Sequence, residues 1–175
     1  IGKNLISSTS LSPGEDWRWQ THLANLPIFY EYRDNKTKDM AEVQFKYADN
    51  YKNIFDLYVA NSTVDPKSLT SKTVSDSMSE FALGKAAMIQ NGNWAWSQIS
   101  GVNGNVVKAE DIKFLPIYTG VSGEEKQGLC IGTENFFSIN SKTTPENQKA
   151  ALDFINWLFT SEKGKTFVTK DLGFE

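Results

Sequence analysis

Three places in the sequence gather side chains able to do chemistry. Asn91, Gly92 and Asn93 run directly into Trp94; Glu15, Asp16, Trp17, Arg18 and Trp19 are consecutive; Gly128 and Gly132 precede Thr133 and Glu134. A pyranose has apolar C–H faces and a rim of hydroxyls, so a site for it offers a flat aromatic surface beside carboxylates, amides or a guanidinium. The first two places hold that inventory. At Trp94 the turn of Asn91, Gly92 and Asn93 opens a helix, and first-turn N–H groups have no partner within a helix and can donate to a ligand oxygen. Trp94 and Trp96 are two positions apart and point in different directions on a helix, which assigns Trp94 to the ligand and Trp96 to packing. Aromatics make up 13% of the chain, with five Trp, more than a core of this size requires, so some of these rings are expected to face a ligand.

Other chemistries are poorly provided for. His22 is the one histidine, so a site needing two imidazoles is excluded, and a Ser-His-Asp triad built on it lacks the G-x-S-x-G elbow that goes with one common form. Glu15 and Asp16 are the nearest thing to a glycosidase carboxylate pair, but adjacent residues seldom reach across a scissile bond. No catalytic residue is assigned. Asp16 also fits as a helix cap and Glu15 as a solvated loop carboxylate. Residues 128–134 suit a hinge strand in which glycine permits rotation and close ligand approach, with Glu134 facing the ligand, or equally an ordinary strand with a bulge. The run Glu124, Glu125, Lys126 reads as a solvated loop without chemistry. Cys130 is the single cysteine, which rules out an internal disulfide and a Cys-rich metal site, and no cofactor or metal is expected.

Net charge and hydropathy narrow the partners. The net charge of -3 comes from 18 basic and 21 acidic residues spread along the chain, with no basic block to neutralise phosphates, so nucleic acid is not an expected partner. The apolar runs are a few residues long, far short of the roughly 20 that cross a bilayer. The chain opens on Ile1 and Gly2 and closes on Gly173, Phe174 and Glu175, and the sequence reads as an excised piece of a longer protein.

The elements that must position these residues alternate between helices and short strands. Residues 4–9 are expected as a strand and 10–15 as a loop, after which Asp16 caps a helix from Trp17 through Leu23 that Pro27 bends or interrupts. Tyr51, Ile54, Phe55 and Tyr58 recur at helical spacing, ending near Asn61. A second amphipathic helix spans 73–83, with Met78, Phe81 and Ala82 inward and Gly84 as its C-terminal cap. Strands are expected at 86–90, 112–116, 129–131 and 136–139. Thr144 and Pro145 open a helix with Ala151, Phe154, Ile155 and Leu158 on one stripe, and Ser161 caps a last helix to about Lys170. The fold class is therefore α/β, a mixed sheet flanked by helices.

The run Phe81-Ala-Leu-Gly-Lys-Ala-Ala-Met-Ile-Gln-Asn-Gly-Asn-Trp-Ala-Trp-Ser-Gln-Ile99 resembles a segment of bacterial family 1 extracellular solute-binding proteins, the maltose-binding type. In that family an F-x-x-G-x-x-A-M stretch precedes an N-G-x-W-x-W turn whose first Trp stacks on the sugar, which corresponds to Trp94. The similarity extends through residues 112–117, 139–142 and 150–164. A family loop with an acidic residue and, two positions on, an aromatic, both sugar contacts, is similar to Glu15 and Trp17, with Trp17 in place of a smaller ring.

The resemblance implies a periplasmic-binding-protein-like (type II) protein of two α/β lobes that close on a ligand, of which this chain is an incomplete part. Residues 1–127 would form most of the second lobe, and 128–175 would cross back toward the first. It implies carbohydrate binding without catalysis, delivery to the permease subunits of an ABC transporter, a monomer when full length, and residence outside the cell as a lipoprotein or in a periplasm. Expected ligand-binding residues are Trp94, Glu15, Trp17, Asp16, Arg18, Asn91, Gly92, Asn93 and Glu134. With one wall of the cleft missing, the piece alone is expected to bind weakly. A glycoside-processing enzyme and a lectin-like module are the alternatives.

Overall fold

The structure, a computed structural model, describes residues 6–7, 10–132 and 136–173. The chain divides into two compact units, Ile1–Leu129 and Cys130–Glu175.

The first unit is built on helices with local start and stop signals. Helix α1 (Asn25–Asp34) carries Pro27 as its third residue. The helical course is interrupted just ahead of it, at Ala24, between a turn over Arg18–Leu23 and α1; as the third residue of α1, Pro27 lacks an N–H where a helix's first N–H groups have no intrahelical acceptor. Helix α2 covers Ala48–Ala60. Helix α3 (Val74–Ala82) opens on a capping box, Thr73 accepting from the Asp76 N–H while the Asp76 carboxylate accepts from the Thr73 N–H, which satisfies two otherwise orphaned donors. It closes on Gly84 at φ +70°. The Lys85 N–H donates to the Glu80 carbonyl at 2.9 Å and the Gly84 N–H to the Phe81 carbonyl at 3.0 Å, a left-handed turn that glycine adopts at no steric cost.

Sheet is scarce. Among the described residues it consists of β1 (Ile6–Ser7) and β2 (Met88–Ile89), paired in parallel with Ile6 opposite Met88 and Ser7 opposite Ile89. These lie within the strands expected at 4–9 and 86–90; among the described residues the other expected strands, 112–116, 129–131 and 136–139, make no ladder. Several of their apolar side chains are exposed, among them Phe114, Leu115, Ile131 and Phe136. Ile117, at the end of the first stretch, packs against two core clusters at once, Trp19, Leu23 and Ile54 in one and Leu26, Tyr30 and Val121 in the other.

The third cluster sets the site. Val74, Met78 and Ala82 from α3 meet Ala95 and Ile99, with Trp96 packed at the margin. Ile99 lies on the short helix α4 (Trp96–Ser100), which follows a 3-10 turn at Asn93–Ala95.

The loop at Glu124 departs from the solvated reading. Glu124 is buried, and its carboxylate accepts from the Thr119 N–H at 2.8 Å, the Thr119 hydroxyl at 3.1 Å and the Gly120 N–H, with the Tyr30 hydroxyl at 3.4 Å. It clasps the loop onto α1. Burial pushes its carboxyl up, but the Thr119 and Gly120 donors outweigh this and hold it below the usual carboxylate range, because they favour the charged form.

The second unit holds α5 (Pro145–Thr160), opened by Thr144 as cap and Pro145 in the first turn, and α6 (Glu162–Thr166), capped by Ser161. Leu158 is the buried member of the α5 stripe, while Phe154 is exposed.

Candidate functional site

Trp94 owes its position to what precedes and follows it. The Asn91 side-chain oxygen accepts from the Gly92 N–H at 3.0 Å, and the Gly92 carbonyl accepts from the Ala95 N–H at 3.1 Å, which closes the turn. Ala95 and Ile99 sink into the core. The indole of Trp94 then folds back over Gly92 so closely that a Cβ there would stand 2.2 Å from it. Any Cβ here would push the indole aside, and with glycine in place Trp94 is half-buried. Asn93 is exposed at the start of the 3-10 turn.

Trp17 reaches the same place from the other segment. The chain from Arg18 to Leu23 is a π-helical turn rather than the expected α-helix, and Trp17 at its start makes no side-chain cap. Trp19 is the anchor, buried with Phe55 at 4.8 Å and Tyr58 at 5.5 Å between ring centroids. With Trp19 inward, Trp17 is half-buried and lies 6.3 Å from Trp94, the two planes at 34°. A ring sandwiched between them needs about 7–8 Å, two van der Waals contacts of roughly 3.5–4 Å. The two indoles therefore form one bent floor, not a clamp.

His22 completes the corner. Its ring is 5.0 Å from Trp17, edge-on at 83°, and 5.9 Å from Trp94. Its Nδ1 hydrogen-bonds the buried side chain of Gln90 at 2.7 Å, tying the π turn to the residue that follows β2. Neither residue was among the sequence candidates. Trp17 and His22 are five apart, which is the repeat of a π turn, and a scan for three- and four-residue spacings passes over it. Gln90 and His22 are 68 residues apart, and no local signal joins them.

The charged candidates divide. Arg18 is buried with its guanidinium over the Trp17 ring, 4.3 Å from the centroid. Burial draws it below the usual arginine value, and the Glu15 charge pushes it back. Glu15 is engaged within the fold: its carboxylate accepts from the Ser12 hydroxyl at 2.7 Å and, across 59 positions, from the Val74 N–H at the start of α3 at 2.8 Å. The Ser12 hydroxyl above all, with the Val74 N–H, Ser10 and the Arg18 charge, holds the Glu15 carboxyl below its usual value against the effect of burial. Asp16 is not the helix cap; its carboxylate accepts from the Gln20 amide at 3.0 Å. Glu134 lies outside the described residues. The structure thus brings Trp17 against Trp94, which stands on a turn built by Asn91 and Gly92, stacks Arg18 on Trp17, and engages Glu15 with Ser12 and Val74 and Asp16 with Gln20. Among the described residues no cluster of His, Cys, Asp and Glu is placed to hold a metal ion.

Comparison with known proteins agrees with a solute-binding role. The profile described as bacterial extracellular solute-binding protein matches residues 2–174, and the chain belongs to that family. With the family come a periplasmic-binding-protein-like fold, binding of a solute for transport alongside ABC transporter components, and a generally non-enzymatic role outside the cell. Neither the curated proteins nor the solved structures yield a match. Among the described residues no helix is long and apolar enough to cross a membrane.

Proposed function

We propose that this chain binds a carbohydrate at the corner of Trp94, Trp17 and His22 and presents it to the permease of a sugar ABC importer of the maltose-binding type. The observation that carries the reading is the Trp94 indole, half-buried above a glycine that only its ring explains. Elsewhere in the same unit Trp19 is sealed in one core cluster and Trp96 packs against another, whereas Trp94 and Trp17 are half-buried indoles that meet each other. A stacked sugar would place its C–H face on this floor and its hydroxyls toward the imidazole and guanidinium.

In this reading residues 1–127 are most of one lobe of a type II two-lobe receptor. Residues 128–175 lead back toward the other lobe. The receptor is a monomer outside the cell, lipid-anchored or free in a periplasm. The enzyme alternative is disfavoured by the engagement of Glu15 with Ser12 and Val74 and of Asp16 with Gln20.

The test is calorimetric titration of the full-length protein against a panel of mono- and oligosaccharides, with Trp94→Ala in parallel. The substitution should weaken the tightest ligand by about 1–3 kcal/mol, the scale of an aromatic anchor, with the melting temperature kept. Absence of binding across the panel, or equal affinity in the variant, would refute the reading.

A further inference from the structure

Four charged side chains of the described residues are buried: Arg18, Glu31, Lys72 and Glu124. Three are satisfied. Glu31 accepts from the Gln44 N–H at 2.9 Å and from the Lys46 N–H at 2.5 Å. Lys72 donates to the Thr63 hydroxyl at 2.6 Å and to the Glu80 carboxylate at 2.5 Å. Glu124 has the four donors already described.

Arg18 is the exception. Its one hydrogen bond is a long one, 3.5 Å from Nη1 to the Glu15 carbonyl, and its Nε is buried with no partner. No carboxylate of the described residues forms an ion pair with it. A guanidinium carries five donors in a planar fork, and a buried charge persists when it is paired. Packing on Trp17 at 4.3 Å supplies a cation–π contact but engages none of those N–H groups in their own plane.

We propose that the saccharide recognised at this corner is anionic, a uronic acid or a sulfated sugar whose acidic group pairs with the Arg18 guanidinium while its ring lies on the indole floor. This rests on the carbohydrate reading above. Arg18 feels the Glu15 charge without forming an ion pair with it, and Asp16 is its near neighbour in the chain. The Glu15 carboxylate is occupied by Ser12 and the Val74 N–H, and that of Asp16 by the Gln20 amide, so neither competes for the fork. Arginine, rather than lysine, suits the role because its fork matches a carboxylate or sulfate through two parallel hydrogen bonds.

The full-length protein is titrated with uronate oligosaccharides from pectin, alginate and glucuronoxylan, their methyl esters, sulfated galactan oligosaccharides, and the matched neutral oligosaccharides. A member of the acidic set should bind at least about tenfold more tightly than its ester or neutral match, the scale of hydrogen bonds to a charged group. Whether the uronate or the sulfated arm gives that ligand identifies the acidic group. Arg18→Gln should level the preference, and Arg18→Lys should restore it in part.

If neutral sugars or esters bind as tightly as acids, with a signal that Trp94→Ala removes, the anionic ligand is overturned and the carbohydrate reading stands. Failure of every saccharide overturns both. An acid preference that survives Arg18→Gln overturns the assignment to Arg18, and if that variant does not fold, the acid-to-ester ratio on the unsubstituted protein decides the ligand class by itself.

Discussion

Gly92 and Gly164 are both glycines because something stands where a side chain would be, but the neighbours differ in kind. At Gly92, in the first unit, an added Cβ would meet the Trp94 ring at 2.2 Å; at Gly164, in the second, it would meet the Leu158 carbonyl oxygen at 2.3 Å and its carbon at 2.7 Å. An indole hangs on two rotatable bonds and can swing away. A carbonyl in the last turn of α5 moves only if the corner between α5 and α6 opens, and that corner is closed by the Ser161 hydroxyl accepting from the Gly164 N–H at 3.0 Å. The same proximity therefore serves aim in one region and architecture in the other.

Paired substitutions can break this contrast. Gly164→Ala gains about 1 kcal/mol of helix propensity, yet overpacking against backbone and loss of the cap exceed that gain, for a net destabilisation of about 2 kcal/mol. A lower urea midpoint and faster hydrogen exchange in α6 would show it, and an unchanged midpoint would mean the corner is looser than drawn. Gly92→Ala should do the reverse. Its backbone, at φ -103°, accepts alanine without strain, so the melting temperature should stay within about 2 °C while the displaced indole costs about tenfold in sugar affinity. If Gly92→Ala lowers stability and spares affinity, Trp94 is a core residue and the contrast fails.

The parts of the fold legible in the sequence are those written locally. The spacing of Ile54, Phe55 and Tyr58, the Thr73 cap with Gly84 at the far end, and Thr144 beside Pro145 each act within a few residues of the element they specify. All three helices are where that chemistry places them. Two of the expected strands, at 4–9 and 86–90, contain β1 and β2, but an apolar run such as residues 112–116 says nothing of a partner for its N–H groups, and its Phe114 and Leu115 are exposed. Ile117 packs between two clusters without a ladder. The site was legible where one segment builds it, at Asn91, Gly92 and Trp94. It was not where distant residues meet: Gln90 on His22 across 68 positions and Tyr30 on Glu124 across 94.

Glu124 offers the smallest and most specific test, because its clasp contrasts with the solvated carboxylate its sequence neighbours suggest. Glu124→Gln preserves size but leaves the Thr119 and Gly120 N–H groups facing an amide that accepts through one oxygen only, a loss of about 1 kcal/mol at neutral pH. The Glu124 carboxyl titrates in the folded protein below its ordinary value of 4.5. The unfolded chain therefore takes up the proton first, so this contribution is fully present above that value and is lost as pH falls through the lower folded one. Urea midpoints of the parent and of Glu124→Gln should stay apart above about pH 5 and draw together as the pH falls below the ordinary carboxylate value and through the lower folded-state one. Curves that run parallel over that interval would show that the carboxylate's charge contributes nothing to holding the loop against α1.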